Sequence, residues 1–224
     1  MMQPVMRSFV SYPKSGRTWI RYALTNLGVE SSIHFHHDGF EFNDGTKPPH
    51  DFNLETRLER YAEVDRLVYL ERDPRDVMVS LYFQITGRFS DFFKYQGDIA
   101  KFIRDDYFGA ENLRCFRKLW AEIVETRNFL AVSYEECHCD MAAALCKIFT
   151  YYDLPIDEQC LAKAVEDSDF VRMKQIEASG TFPHPWLRPR QDSPKVRQGR
   201  VGGYREILSI EDIRYLNDVF ALPD

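Results

Sequence analysis

The sequence predicts an α/β protein with a central parallel β-sheet flanked by helices on both faces. Two observations carry this. Short apolar runs such as SFVSY and RLVYLE alternate with longer segments whose apolar residues recur at helical spacing. Two of the strand candidates, Ser8 to Tyr12 and Arg66 to Glu71, also end in polar turns that lead into a helix, as crossovers between parallel strands do. The chain of 224 residues is 44% hydrophobic and 29% charged, a globular composition sized for a single domain over residues 1–224.

Ser8 to Tyr12 reads as a buried strand. Thr18 to Leu27 follows as a helix, with Trp19, Ala23 and Leu27 at helical spacing and Gly28 as its stop. Ser32 to His37 reads as a second strand, and the Gly-, Pro- and Asp-rich residues 38–53 as a loop. Arg66 to Glu71 is a third strand, with a helix over Asp76 to Tyr82 after Pro74. Residues 111–127 form a long amphipathic helix, Phe129 to Ser133 a fourth strand, and Met141 to Tyr151 a helix. Asp157 to Val165 and Phe170 to Lys174 are shorter helical pieces. Residues 177–204 show no period and read as a long loop, and Ile210 to Phe220 closes as a helix. A structureless stretch that long in a compact domain is usually functional or disordered.

The net charge of −6 argues against a generic nucleic-acid binder, so any anion site must be a local concentration of cations. No apolar run is long enough to span a bilayer, and the opening MMQPVMRSFV lacks the apolar core of a secretion signal. Cys115, Cys137, Cys139, Cys146 and Cys160 are odd in number and irregularly spaced, as reduced thiols would be. Neither Cys137-His138-Cys139 nor the trio His34, His36 and His37 has the spacing of a metal site, so no metal is expected. These features together predict a soluble, cytoplasmic protein without a nucleic-acid or membrane partner; the oligomeric state is left open.

Within SYPKSGRTW, Lys14, Ser15, Gly16, Arg17 and Thr18 lie at a strand's C-terminal end and open a helix. Ligands of open α/β sheets bind there, and a helix N-terminus favours an anion. The alternative is an ordinary polar turn. It is not a Walker A loop, because Lys14 precedes the one glycine instead of following a second. Arg72 and Ser80, in LERDPRDVMVSLYF, lie at another strand end; Arg72 suits a bidentate phosphate contact or, alternatively, an ion pair with Asp73 or Asp76. Residues 188–205 carry Arg188, Arg190, Lys195, Arg197, Arg200 and Arg205 against one acid, Asp192, and read as an anion lid or as a solvated charge run.

With these three segments in order, the chain resembles the sulfotransferases that use 3′-phosphoadenosine 5′-phosphosulfate (PAPS). YPKSGRTW looks like their 5′-phosphosulfate loop, and RDPRDVMVS like their 3′-phosphate motif, including the eight-residue step from Arg72 to Ser80. VRQGRVGGYREIL looks like their C-terminal glycine-containing lid, with SYEEC and SDFVRMK as weaker matches between. The resemblance implies a P-loop NTPase-like sulfotransferase fold and transfer of a sulfuryl group from PAPS to a hydroxyl or amine of a small-molecule acceptor, with no metal required. Carried over residue by residue, it puts Lys14, Ser15, Gly16, Arg17 and Thr18 on the 5′-phosphosulfate. It puts Arg72, Ser80, Arg197, Gln198 and Gly199 on the 3′-phosphate, and Trp19, Tyr134 and Phe170 near the adenine. Gln198 stands where the family has lysine, Arg17 where threonine is frequent, and Gly203-Tyr204 in place of Asp-Trp.

Two histidines compete as the general base for the acceptor's proton. Strand alternation puts Ile33, Phe35 and His37 on one face, with His37 at the C-terminal end and Asp38 or a nearby acid available to orient it. His50 instead matches the family's spacing before Arg72. Asp38, Glu41, Asp44, Asp51 and Glu55 form either an acidic mouth for a cationic or sugar-like acceptor or solvated loop acids. Two rival functions remain: a P-loop kinase using ATP and Mg²⁺, and a non-catalytic module binding 3′-phosphoadenosine 5′-phosphate (PAP).

Overall fold

The computed structural model describes residues 5–180, 182 and 184–223. Four strands, β1 (Arg7–Ser11), β2 (His34–His36), β3 (Arg66–Glu71) and β4 (Leu130–Ser133), form one sheet in the order β2-β1-β3-β4. Every pairing is parallel, with Phe9 opposite Phe35 and Val68, and Leu70 opposite Val132. Period-2 alternation sends Val10, Leu67 and Tyr69 into one core, and Phe9, Val68, Leu70 and Val132 into the other. Both faces are therefore apolar, as a parallel sheet with helices on each side requires.

The helices are α1 (Arg17–Asn26), α2 (Leu54–Arg60), α3 (Pro74–Phe83), α4 (Ser90–Phe93), α5 (Ile99–Phe102), α6 (Ala110–Arg127), α7 (Tyr134–Cys139), α8 (Met141–Tyr152), α9 (Glu158–Asp167), α10 (Phe170–Ser179) and α11 (Ile210–Phe220). Val77 of α3, Phe116 and Trp120 of α6 and Leu216 of α11 fill the first core. Ile20 and Leu24 of α1 and Leu145 and Phe149 of α8 fill the second.

The third strand and the last helix match the sequence reading residue for residue, and α1, α6 and α8 begin and end within a residue of it. The second strand is shorter than expected, because Glu30–Ser32 forms a 3₁₀ turn before it. The short helices α2 and α7 were not expected. Asn53 caps α2 by accepting the Thr56 N–H, and Ser133 with Glu136 forms a reciprocal capping box on α7. Helix α10 continues to Ser179, where Gly180 ends it in a left-handed conformation. The stretch read as loop over 177–204 is therefore interrupted by the end of α10, by 3₁₀ turns at Pro185–Leu187 and Gly203–Glu206, and by an isolated bridge between Arg190 and Ser193. Residues 181 and 183 of that stretch lie outside the described residues.

Two features position the site. The chain leaves β1 through α1 to β2 on one side, then crosses to β3 on the other, so the loop after β1 lies where the strand order reverses. Buried Asp38 fixes the loop after β2. It accepts hydrogen bonds from Arg57 Nε at 2.7 Å, Tyr61 Oη at 2.7 Å, Arg60 Nη1 at 3.1 Å and Trp120 Nε1 at 3.2 Å. With Asp38 held there, Phe40 and Phe42 pack around Tyr12 and close that side of the first core.

Candidate functional site

The loop from Tyr12 to Gly16 turns through two left-handed residues, Lys14 (φ 73°) and Gly16 (φ 100°). Gly16 is required twice over. Its φ suits glycine, and a Cβ there would fall 2.4 Å from Cδ2 of Tyr134. The Tyr134 ring thus lies directly over the start of α1. It meets Trp19 edge to face at 5.3 Å, and Trp19 Nε1 donates to the Ser168 carbonyl at 2.8 Å. Phe170, at the head of α10, completes this aromatic wall; it packs so closely on Gly199 (φ 62°) that a Cβ there would come within 2.3 Å of the ring.

Arg72 joins the three segments singled out in the sequence. Its Nη1 donates to the Lys14 carbonyl at 3.2 Å and its Nη2 to the Arg200 carbonyl at 2.9 Å, while the guanidinium lies 4.2 Å above the Tyr134 ring. Asp76 sits 3.7 Å from Arg72, but its stronger contacts are elsewhere: its carboxylate accepts the N–H groups of Gly202 at 2.7 Å and Tyr204 at 2.9 Å. This carboxylate ties the residue 197–204 segment to the first turn of α3. Arg197 lies over the Phe83 ring at 4.5 Å.

These residues line one cavity of about 1230 Å³ at the C-terminal edge of the sheet. It brings together Lys14, Gly16, Arg17, Thr18 and Trp19 from the first segment. Arg72 and Ser80 come from the second, and Arg197, Gln198 and Gly199 from the third. Tyr134, Phe170 and His37 also line it. Ser15 is buried beneath the loop, and His50 lies elsewhere.

The electrostatics of the cavity are lopsided. Arg17 Nη1, Arg72 Nε and Arg197 Nε are buried donors with no partner among the described residues. Native structures rarely leave such donors unpaired. Burial, then the charges of Lys195, Arg88, Arg72 and Arg197, lower the Lys14 pKa to about 7. Burial, then Arg88 and Arg17, lower Lys195 to about 8, with Glu177 opposing. Burial lowers Arg17 to about 10. A set of crowded cations with unused donors is a site for a polyanion.

His37 and His50 have different surroundings. His37 Nδ1 lies 2.7 Å from the Ser11 carbonyl, which can only accept, so Nδ1 carries the proton and Nε2 keeps its lone pair. Burial, then Arg17, holds its pKa well below the ordinary value, against the Ser11 bond, so the ring is neutral throughout the neutral range. The acid expected to orient it does not: Asp38 faces Arg57 instead, and Ser11 sets the ring. His50 packs against Tyr107 at 4.4 Å and Phe40 at 4.7 Å, and its Nδ1 lies 2.8 Å from Asn112 Oδ1. Among the described residues no three His, Cys, Asp or Glu side chains gather as a metal site.

Sequence reasoning missed the scaffold behind the cavity. Asp76 entered only as an ion-pair partner for Arg72, and Arg88 and Glu177 did not enter at all. Each acts on a segment about a hundred residues away or on a neighbouring element, and no local pattern marks such a contact. Of the phenylalanines near the site, Phe40 and Phe42 are core, whereas Phe89 lines the cavity.

Comparison with known proteins gives a consistent picture. The model of the sulfotransferase domain family matches residues 62–222. Sulfotransferase 2B1 of Mus musculus is 26% identical over 167 residues, covering 71% of this chain and 48% of its own length. Its Homo sapiens counterpart is 28% identical, over 67% of this chain and 42% of its own. The chain thus spans about half the length of these relatives. A 3-alpha-hydroxysteroid sulfotransferase of Cavia porcellus is 22% identical over 94% of this chain and 80% of its own. Among solved structures, mouse sulfotransferase SULT7A1 complexed with PAP superposes with a TM-score of 0.70 at 17% identity, over 98% of this chain and 84% of that one. Retinol dehydratase in a complex with retinol and PAP gives 0.66 at 17% identity, over 99% and 81%.

Proposed function

The chain belongs to the sulfotransferase domain family, and from that premise we propose that it transfers a sulfuryl group from PAPS to a hydroxyl or amine of a small-molecule acceptor. The observation that carries this is the cluster of unpartnered arginine donors around Lys14 on one cavity at the reversal point of the sheet. The residues present fit PAPS in kind: a cluster of cations with unused donors for its anionic groups, and an aromatic wall between α1 and α10 for a base. PAPS, when bound, would supply the sulfuryl group, which bonds to the acceptor oxygen or nitrogen as its bond to the 5′-phosphate breaks, leaving PAP.

The chain's own residues divide the work. Lys14, Gly16, Arg17 and Thr18 hold the 5′ end, with Ser15 buried behind them, and Lys14 lends its charge to the phosphate oxygen that departs. Arg72, Ser80, Arg197, Gln198 and Gly199 hold the 3′-phosphate, and Trp19, Tyr134 and Phe170 hold the adenine. His37 takes the acceptor's proton on Nε2, with its ring fixed by the Ser11 carbonyl. A low pKa makes it a weak base in the free protein. Bound sulfate and phosphate charges would raise that pKa and strengthen it when the substrates are in place. Lys14 and His37 line one cavity, so a donor held at Lys14 and an acceptor at His37 share the same space. The free state of all five cysteines fits a cytoplasmic setting. No helix among the described residues is long and apolar enough to cross a membrane.

Titrating PAP calorimetrically across pH tests the co-substrate site. Lys14 loses its proton near pH 7 in the free protein, and a bound polyanion holds that proton on. The sign follows: affinity is full below pH 7 and falls as pH rises above it, by up to about tenfold per unit. At pH 8 binding takes up protons, seen as a dependence of the heat on the buffer's ionisation enthalpy. PAP binding that is flat from pH 7 to pH 9, or no binding, contradicts the assignment of Lys14.

A further inference from the structure

The co-substrate residues do not use every cation on the cavity wall. Of the other cations that line it, Arg21 pairs with Glu30, and Arg190 pairs with Asp91. Arg88 lies 3.9 Å from Glu177, and its Nη1 and Nη2 are taken by the Ser193 and Arg188 carbonyls at 3.0 Å each. Lys195 differs. Its Nζ has no hydrogen bond or ion pair among the described residues, yet its side chain is partly buried on the cavity wall.

Lys195 is also held in place. Buried Glu177 accepts the backbone N–H of Lys195 and, at 2.9 Å, that of Val196. Arg88 fastens the preceding residues through its two carbonyl contacts and sits beside Glu177. A buried ion pair thus clamps the segment that presents an unpaired ammonium to the cavity. Glu177 offsets only part of the repulsion from Arg88, Arg17 and Arg21, and a ligand with a negative charge would offset more of it.

The acids of the loop that follows β2 do not supply that charge. Asp38 is committed to Arg57 and Arg60, Asp51 to Arg57, and Asp44 to Thr46. Of the acids in that loop, only Glu41 lines the cavity, and its Oε1 accepts the His37 N–H at 2.9 Å.

We propose that the acceptor carries an anionic group of its own, a carboxylate or a phosphate or sulfate ester, held by Lys195 while its hydroxyl or amine meets His37. This inference rests on the PAPS reading of the cavity. It makes the substrate class acidic, the reverse of the cationic acceptor that the loop acids suggested. The anionic group binds without reacting; the only bond formed is from sulfur to the acceptor's hydroxyl or amine, whose proton goes to His37.

The test uses the full chain, labelled PAPS and acceptor pairs matched except for the anion: phenol with 4-hydroxyphenylacetate, octanol with 8-hydroxyoctanoate, and glucosamine with its 6-phosphate. PAP affinity is measured separately. The wild type prefers the anionic member of the pair it accepts. In Lys195→Met the ratio of kcat/KM between the two members falls by at least about tenfold, mainly through KM, as expected for a lost charge-assisted contact. Lys195→Arg restores it. A wild-type preference for the neutral members overturns the proposal, as does a ratio unmoved in Lys195→Met, or transfer to none of the pairs with PAP binding intact. So does a fall in PAP affinity in Lys195→Met, which would give the lysine to the co-substrate. Failure of the wild type to bind PAP at all overturns the PAPS reading itself, a result distinct from each of these.

Discussion

Lys14→Met lowers sulfuryl transfer by about three orders of magnitude, the scale of losing one preorganised group that stabilises charge developing in a transition state. The folded protein survives the change. Lys14 already adopts φ 73° with a side chain, so methionine meets no new backbone constraint. The substitution also removes one of several crowded cations, since Lys195, Arg88, Arg72 and Arg197 all disfavour the charge on Lys14 in the free protein. Thermal unfolding without ligand should therefore show an unchanged or raised midpoint. Arg72→Met gives a comparable loss by another route. It removes the bonds to the Lys14 and Arg200 carbonyls, so the loop and the C-terminal segment lose their shared tether together with the donor proposed for the 3′-phosphate. Its defect falls mainly on PAP affinity, whereas that of Lys14→Met falls on both PAP affinity and kcat. Full activity in either variant would remove the basis for the site.

His37→Ala lowers kcat by about a hundredfold to ten-thousandfold, the range for losing a general base. His50→Ala keeps near-native turnover. The two rings differ in what their free nitrogens can reach. His37 donates from Nδ1 to Ser11 and lines the cavity with Nε2 unprotonated. His50 sits between Tyr107 and Phe40, tied to Asn112. Its removal opens a space in an aromatic cluster, so the expected cost is in unfolding free energy, about 1–3 kcal/mol. A steady-state comparison of the two variants with one acceptor decides the matter; a larger kcat defect in His50→Ala reverses the assignment.

What could be read in the sequence was what is local. The Arg66–Glu71 strand is an apolar run of the right length, and the Ile210–Phe220 helix is periodic with Ser209 as its cap, so both are specified by their own residues. The SYPKSGRTW turn is equally self-contained: strand, left-handed lysine, glycine, helix. Helix α2 was missed because LETRLER is charge-rich, and its two leucines give too short a period to register. Helix α7 carried a readable signal, Ser133 with Glu136, which went unused because six residues look like the end of a strand. For the acidic loop the sequence left both an acidic mouth and solvated acids open. Charge composition does not say where a carboxylate points, and Asp38 and Asp51 turn out to neutralise Arg57. The clamps by Asp76, Glu177 and Arg88 were out of reach, since each depends on segments that only the fold brings together.

The most direct test of the proposed activity is transfer from labelled PAPS by the purified chain across phenols, sugars, alkyl alcohols and amines, run beside labelled ATP with Mg²⁺. The predicted result is label moving from PAPS to an acceptor with one PAP formed per sulfated product, and none moving from ATP. Transfer from ATP with none from PAPS would contradict it in favour of a kinase, and tight PAP binding without transfer to any acceptor would contradict it in favour of a binding module.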